Sequence, residues 1–180
     1  YFFKKKKLTK KKIIIIGNEK LFKEQLDILK YKLELNQIKD HGEAKNNIIN
    51  IINIDFKFNK TFENISTKSN KYIEKSFEKA LKILKSLKNK AFLINGPISK
   101  NTFLQKKYLG ITEYLSKKTK SNNEVMLIYN KYLSVSPVTT HIPLKYVTKK
   151  INKKKIINNV KKLDNFYKKI LNKKAKFAIL

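Results

Sequence analysis

Ala91-Phe92-Leu93-Ile94-Asn95-Gly96-Pro97-Ile98-Ser99-Lys100 is the stretch on which the reading of this chain turns. Ala91 to Ile94 has the pattern of a buried strand, and Asn95-Gly96-Pro97 ends it, because Gly96 permits a tight turn and Pro97 fixes one. Just upstream, Ile73, Phe77, Ala80, Leu81, Leu84 and Leu87 recur at three- and four-residue steps with lysines on the opposite side. That spacing predicts an amphipathic helix over Ser69 to Lys88. Helix, strand and Gly-Pro turn in succession place the turn at the C-terminal end of a strand, where open α/β sheets bind ligands.

Working outward, the pattern continues as alternating short apolar runs and longer helical stretches, which predicts an α/β fold with a largely parallel sheet. Ile13 to Ile16 reads as a strand, Gly17 and Asn18 as its end, and Glu19 to Tyr31 as a helix. Ile48 to Phe58 alternates Ile and Phe with Asn, Asp and Lys, as a half-exposed or edge strand does. Further strands are expected at Val125 to Tyr129 and Tyr132 to Val138, a helix at Lys155 to Leu171, and another strand at Phe177 to Leu180.

The 180 residues include 43 basic and 13 acidic ones, a net charge of +30. Such a balance invites a polyanion partner. Every basic residue is lysine, however, and the bidentate guanidinium fork that grips bases and phosphates is missing. Abundant Ile, Asn, Lys, Phe and Tyr with four Gly and three Pro point instead to an AT-rich coding bias. Tyr72, Phe77 and Phe92 fall at core-facing positions rather than on a stacking platform, so no specific nucleic-acid partner is expected. Without cysteine there is no disulfide scaffold, thiol nucleophile or cysteine-based zinc site, which fits a cytoplasmic location. Tyr1 to Lys12 is basic and the apolar run after it spans only Ile13 to Ile16, too short for a membrane span or a secretion signal. The chain opens on Tyr1 and its one methionine is Met126, so a fragment is expected.

Three segments carry candidate chemistry. Asn95-Gly96-Pro97-Ile98-Ser99-Lys100 exposes a hydroxyl and an amine after a turn; its plain structural reading is a loop in which Ser99 caps the next helix. Gly110-Ile111-Thr112-Glu113-Tyr114-Leu115 sets a Gly and a Thr ahead of a helix, whose free N–H groups can hold a phosphate or carboxylate. Thr139-Thr140-His141-Ile142-Pro143-Leu144 is a polar triplet closed by proline. The second histidine, His41, sits in a surface turn, Asp40-His41-Gly42-Glu43, and has no assigned role.

In this order the three segments resemble the 4-hydroxythreonine-4-phosphate dehydrogenase patterns Thr-Gly-Pro-x-x-Lys, Gly-His-Thr-Glu and Thr-Thr-His-x-Pro-Leu, and the resemblance runs from about Ile13 to the C-terminus. It implies an isocitrate/isopropylmalate dehydrogenase-like α/β/α fold with two domains around a cleft. By analogy these are residues 1–104, expected to lack an N-terminal segment, and 105–180, expected to be cut short at the C-terminus, with the break near Phe103 to Gly110. It implies oxidation of 4-phosphohydroxy-L-threonine with NAD as hydride acceptor and loss of carbon dioxide, in pyridoxal phosphate synthesis. A divalent ion (zinc, magnesium or cobalt) on three histidines lowers the alcohol's pKa in that chemistry. A homodimer with a shared active site is implied as well.

Carried over by residue, His141 matches the first metal histidine, Thr112 a substrate contact, and Lys100 a possible phosphate contact. Ile111 stands where the family has a substrate-binding histidine, and Asn95 where it has threonine. Ile111 cannot hydrogen-bond through its side chain. It therefore keeps open a related four-carbon substrate such as threonate or erythronate phosphate, or a loop re-aimed by a two-residue shortening between Lys100 and Gly110. A single histidine does not hold zinc, so the 180-residue chain alone is expected to be inactive. A lysine-rich polyanion-binding protein without catalysis is the competing class.

Overall fold

The computed structural model describes residues 11–88, 91–105, 107–121 and 124–180. Most of the basic stretch Tyr1 to Lys12 lies outside the described residues. The chain forms two compact units, the first running to Tyr108 and the second from Leu109 to Leu180.

The first unit is built on a three-stranded parallel sheet in the order β1-β3-β2, with β1 at Ile13–Gly17, β2 at Leu35–Gln37 and β3 at Ile49–Asn53. Ile13 to Gly17 run alongside Ile49 to Asn53, and Leu35 to Gln37 alongside Ile49 to Ile51. Helix α1 (Glu19–Ile28) packs on β3, and α2 (Asn70–Ser86) packs on β1. α1 starts where the Asn18 side chain accepts from the Leu21 N–H at 2.9 Å. It ends before the expected Tyr31 because Lys30 turns left-handed (φ 56°) and the Tyr31 N–H reaches back to the Leu26 carbonyl at 2.8 Å. The predicted α2 is present, and its Ile83 joins Ile38, Ala44 and Ile52 in a core against which Ile14, Ile16 and Leu87 pack.

β3 is the central strand, a correction to the half-exposed or edge strand expected at Ile48 to Phe58. Its Ile49, Asn50, Ile51 and Ile52 are all buried. The polar member does not need solvent, because the Asn50 amide donates to the carbonyls of Ile13 (3.0 Å), Lys45 (2.9 Å) and Ile48 (3.3 Å). Its oxygen accepts from the Lys45 N–H at 2.9 Å and the Asn36 amide at 2.8 Å. A fully satisfied amide carries no desolvation penalty large enough to push it outward. β2, only three residues long, has no counterpart in the sequence reading.

Ala91 to Ile94 is not a strand. Among the described residues it forms no ladder, and Phe92 and Ile94 are 66% and 91% exposed, so Phe92 is not core-facing here. The Gly-Pro turn therefore does not sit at a strand end. It leads into a π-helical turn, Lys100–Leu104, where the Ser99 hydroxyl accepts from the Thr102 N–H at 3.3 Å, as the plain reading of that motif anticipated.

The second unit is helical. It contains α3 (Ile111–Lys118), a short α4 (Val147–Lys150) and α5 (Lys153–Ile170), the last started by Asn152, whose side chain accepts from the Lys155 N–H at 2.9 Å. The strands expected at Val125 to Tyr129 and Tyr132 to Val138 reduce to one antiparallel bridge between Ile128 and Val135. With no neighbouring strand to extend it, an isolated hairpin is marginal. Phe177 to Leu180 is exposed chain, not a strand, for the same lack of a partner. Among the described residues no helix is long and apolar enough to cross a membrane.

Candidate functional site

α3 begins at Gly110, whose extended backbone makes no side-chain cap, and its first internal bond runs from the Tyr114 N–H to the Gly110 carbonyl at 3.2 Å. The N–H groups of Ile111, Thr112 and Glu113 consequently have no intrahelical acceptor. Thr112 lies within this first turn rather than ahead of the helix. Glu113 folds back toward Gly110, where a Cβ would stand 3.0 Å from its Oε2. Among the described residues that carboxylate oxygen has no hydrogen-bond partner; it is buried at the end of the helix where the dipole favours negative charge.

A cavity of about 240 Å³ opens here, within the second unit. Thr112 and Glu113 line it from α3, Thr139, Thr140 and Ile142 from the polar triplet, Glu124 and Met126 from the segment before the hairpin, and Lys150, Lys155 and Asn159 from α4 and α5. Two of the three sequence motifs, separated by more than twenty residues, thus share one wall. The Glu124 carboxyl is held below the ordinary value of 4.5, first by its own main-chain N–H and then by the Ser116 hydroxyl at 2.8 Å. Threonine hydroxyls, helix N–H groups and two lysines can hold an anionic or hydroxylated ligand, while Glu113 and Glu124 favour a cationic one. A small zwitterion bearing an anionic group meets both demands.

The other candidate residues fall elsewhere. His141 sits between two cavity-lining neighbours, but it is exposed, takes a left-handed conformation (φ 54°), and does not line the cavity. Positive φ is uncommon for histidine and turns the chain sharply at that point. Ile111 is half-buried at the first position of α3 and is not among the residues lining the cavity; its main-chain N–H is one of those without an intrahelical acceptor. Lys100 is exposed at the head of the π-helical turn in the first unit, and His41 lies in a short turn of that unit capped by Asp40. Lys150, Lys155, Glu124 and Asn159 were not singled out from the sequence. Among 43 lysines nothing local marks two of them; only the Asn152 cap signal, which fixes the start of α5, hints at where Lys155 must sit.

The residues present do not by themselves fit the metal and cofactor implied by the resemblance. Among the described residues no group of three or more His, Asp or Glu side chains could hold a metal ion, and His141 offers one ligand where functional sites use three or four. The 240 Å³ cavity is smaller than the ~300 Å³ at which pockets for drug-sized ligands begin.

Comparison with known proteins follows the same lines. The chain is similar to the 4-hydroxythreonine-4-phosphate dehydrogenase of Sulfurihydrogenibium sp. (strain YO3AOP1), 39% identical over 74 residues, 41% of this chain and 23% of that protein. It is 38% identical over 55 residues to the enzyme of the same name from Aquifex aeolicus (strain VF5), 31% of this chain and 17% of that one. In fold it is similar to the crystal structure of 4-hydroxythreonine-4-phosphate dehydrogenase from Klebsiella pneumoniae, with a TM-score of 0.70 at 20% identity over 86% of this chain and 50% of that one. The enzyme of the same name from Burkholderia phymatum gives a TM-score of 0.71 at 21% identity over 87% of this chain and 48% of that one. The chain spans about half the length of these solved relatives. The family model described as "Pyridoxal phosphate biosynthetic protein PdxA" matches residues 9–180, and the chain belongs to that family.

Proposed function

We propose that this chain supplies the substrate-holding part of a 4-hydroxythreonine-4-phosphate dehydrogenase acting in pyridoxal phosphate synthesis in the cytoplasm. The observation that carries the reading is the convergence of Thr112, Thr139 and Thr140 on one cavity at the start of α3. In this proposal an anionic end of 4-phosphohydroxy-L-threonine meets the free N–H groups of Ile111, Thr112 and Glu113, the hydroxyls fix its orientation, and the carboxylates face its ammonium group. The main-chain N–H of Ile111 takes part of the work that the family assigns to a histidine side chain.

The full reaction belongs to the same proposal: oxidation of the substrate hydroxyl with NAD as acceptor, assistance by a divalent ion, decarboxylation, a chain divided into two domains with the break near Phe103 to Gly110, and a homodimer with a shared active site. None of these steps is routed through His141 alone. A second reading, a related phosphorylated four-carbon acid as substrate, is favoured by Ile111 in place of the family histidine. Calorimetric titration of the chain with 4-phosphohydroxy-L-threonine and with erythronate 4-phosphate decides between them. Binding of the first that weakens about ten- to a hundredfold in Thr112→Val, the range for losing a hydrogen bond to a charged group, supports the proposal. Tighter binding of erythronate phosphate shifts the substrate, and binding unaffected by the substitution removes Thr112 from the site.

A further inference from the structure

Asn95-Gly96 is the one Asn-Gly pair in the chain. Both residues are exposed, and among the described residues no main-chain to main-chain hydrogen bond reaches any residue from Ala91 to Ile98. Gly96 is not required by its backbone: its φ is not positive, and a Cβ placed on it would have nothing within 4 Å. What the absent side chain leaves open is the approach to the Gly96 nitrogen. The Asn95 side chain is folded forward along that same residue, since its amide donates to the Gly96 carbonyl at 2.9 Å.

We propose that Asn95 is a site of spontaneous deamidation, through a succinimide formed with Gly96. The Gly96 nitrogen, having given its proton to solvent hydroxide, attacks Cγ of Asn95. The new N–Cγ bond closes the ring, the Cγ–Nδ2 bond breaks, and Nδ2 leaves as ammonia after taking a proton from water, which restores the hydroxide. Water then adds to one of the two ring carbonyls. Cutting the bond to Cγ yields aspartate, and cutting the original main-chain bond yields isoaspartate. The only co-reactant is solvent water, and nothing is oxidised or reduced.

Comparison with another exposed asparagine shows why the reaction belongs here. Asn130 is followed by Lys131, whose side chain crowds the attacking nitrogen, and its own groups are engaged: its N–H donates to the Ser134 hydroxyl at 3.1 Å, and its side-chain oxygen accepts from the Tyr132 N–H at 2.9 Å. Asn95 combines an unhindered nucleophile, a carboxamide lying along it and a main chain free to turn into the ring, so orientation favours attack. Pro97 has no N–H with which to tie the turn down. Threonine, which the family pattern carries at this place, has no carboxamide to lose. The product sets a carboxylate, and in isoaspartate an extra main-chain carbon, into the motif that ends at Lys100.

The test incubates the 180-residue chain at neutral and mildly alkaline pH and follows each asparagine by peptide mapping and mass spectrometry. Asn130 is the internal reference, and a synthetic peptide of residues 91–100 is the unfolded one. The Asn95 peptide should convert about tenfold or more faster than the Asn130 peptide. It should give both aspartate and isoaspartate, speed up with hydroxide and keep pace with the synthetic peptide. Gly96→Ala, which the open space around Gly96 accommodates, should slow conversion about tenfold, and Asn95→Thr should show none at this position. Conversion no faster than at Asn130, unaltered in Gly96→Ala, or yielding aspartate alone overturns the proposal. So does a rate far below that of the synthetic peptide, which would mean that the fold holds the turn away from the ring geometry.

Discussion

Replacing Asn50 by leucine isolates the feature that most departs from a simple hydrophobic sheet. Asn50 is 0% exposed, at the middle of the central strand, and its amide bridges the Ile13 carbonyl of β1 to both main-chain groups of Lys45. Leucine matches it roughly in size but offers no donor or acceptor, so the Lys45 N–H, the Lys45 carbonyl and the Ile13 carbonyl lose that partner. The Ile48 contact at 3.3 Å is weak, and the half-buried Asn36 can turn to solvent. The Ile13 carbonyl stays within the paired strand β1, so the two main-chain groups of Lys45 are the ones orphaned, at about 1–3 kcal/mol each or roughly 2–6 kcal/mol together. The apolar side chain gained returns about 1.5–3 kcal/mol. The net expectation is a loss of about 2 kcal/mol, a sizeable part of a typical domain's stability. Urea titration followed by far-ultraviolet dichroism reads it as a lower midpoint at unchanged slope. A loss below about 1 kcal/mol would show that the network contributes little and that the buried amide is merely tolerated.

Other outcomes follow from single contacts. A methyl group at Gly17 would stand 2.9 Å from the Tyr72 hydroxyl, which accepts the Asn18 N–H at 2.9 Å, so Gly17→Ala should destabilise by about 1–3 kcal/mol, and Tyr72→Phe in the same chain should recover part of it. Burial raises the Tyr72 hydroxyl above its ordinary value of 10.0, with the Asn18 N–H pulling the other way. A raised folded-state value means a stability contribution fully present below about pH 10 and lost as pH rises through the folded value. The urea midpoint should therefore fall more steeply on alkaline titration in the wild type than in Tyr72→Phe; parallel curves would remove Tyr72 from the alkaline transition. Asn152→Ala, which deletes the cap that accepts from the Lys155 N–H, should lower stability by about 1 kcal/mol, while Asn152→Asp should retain it.

Where the sequence was legible, the reason was local. The four isoleucines of β1 and the periodic apolar stripes of α1, α2 and α5 declare themselves within a dozen residues. Asn50 was misread because alternation of Ile with Asn looks half-exposed, and the partners that bury it, Asn36, Lys45 and Ile13, lie in other segments. Leu35-Asn36-Gln37 is too short and too polar to read as a strand without knowing that β3 lies beside it. Ala91 to Ile94, Val125 to Val138 and Phe177 to Leu180 show the opposite error: strand-like residues form no ladder where no neighbour is present to pair. At the site, Thr112 and the Thr139-Thr140 pair were legible as motifs. That they share a cavity with Lys150, Lys155 and Glu124 depends on how residues distant in sequence come together around the start of α3, which no local pattern encodes.

The claim that this family member holds its substrate at the start of α3 is tested most directly by nuclear magnetic resonance of the labelled chain during titration with 4-phosphohydroxy-L-threonine. The account predicts the largest shifts at the amides of Ile111, Thr112 and Glu113 and at the methyls of Thr139 and Thr140, with no NADH formed when NAD and a divalent metal are supplied to this chain alone. Shifts confined to exposed lysines and abolished by modest salt would contradict it, leaving the chain a polycation without a substrate site.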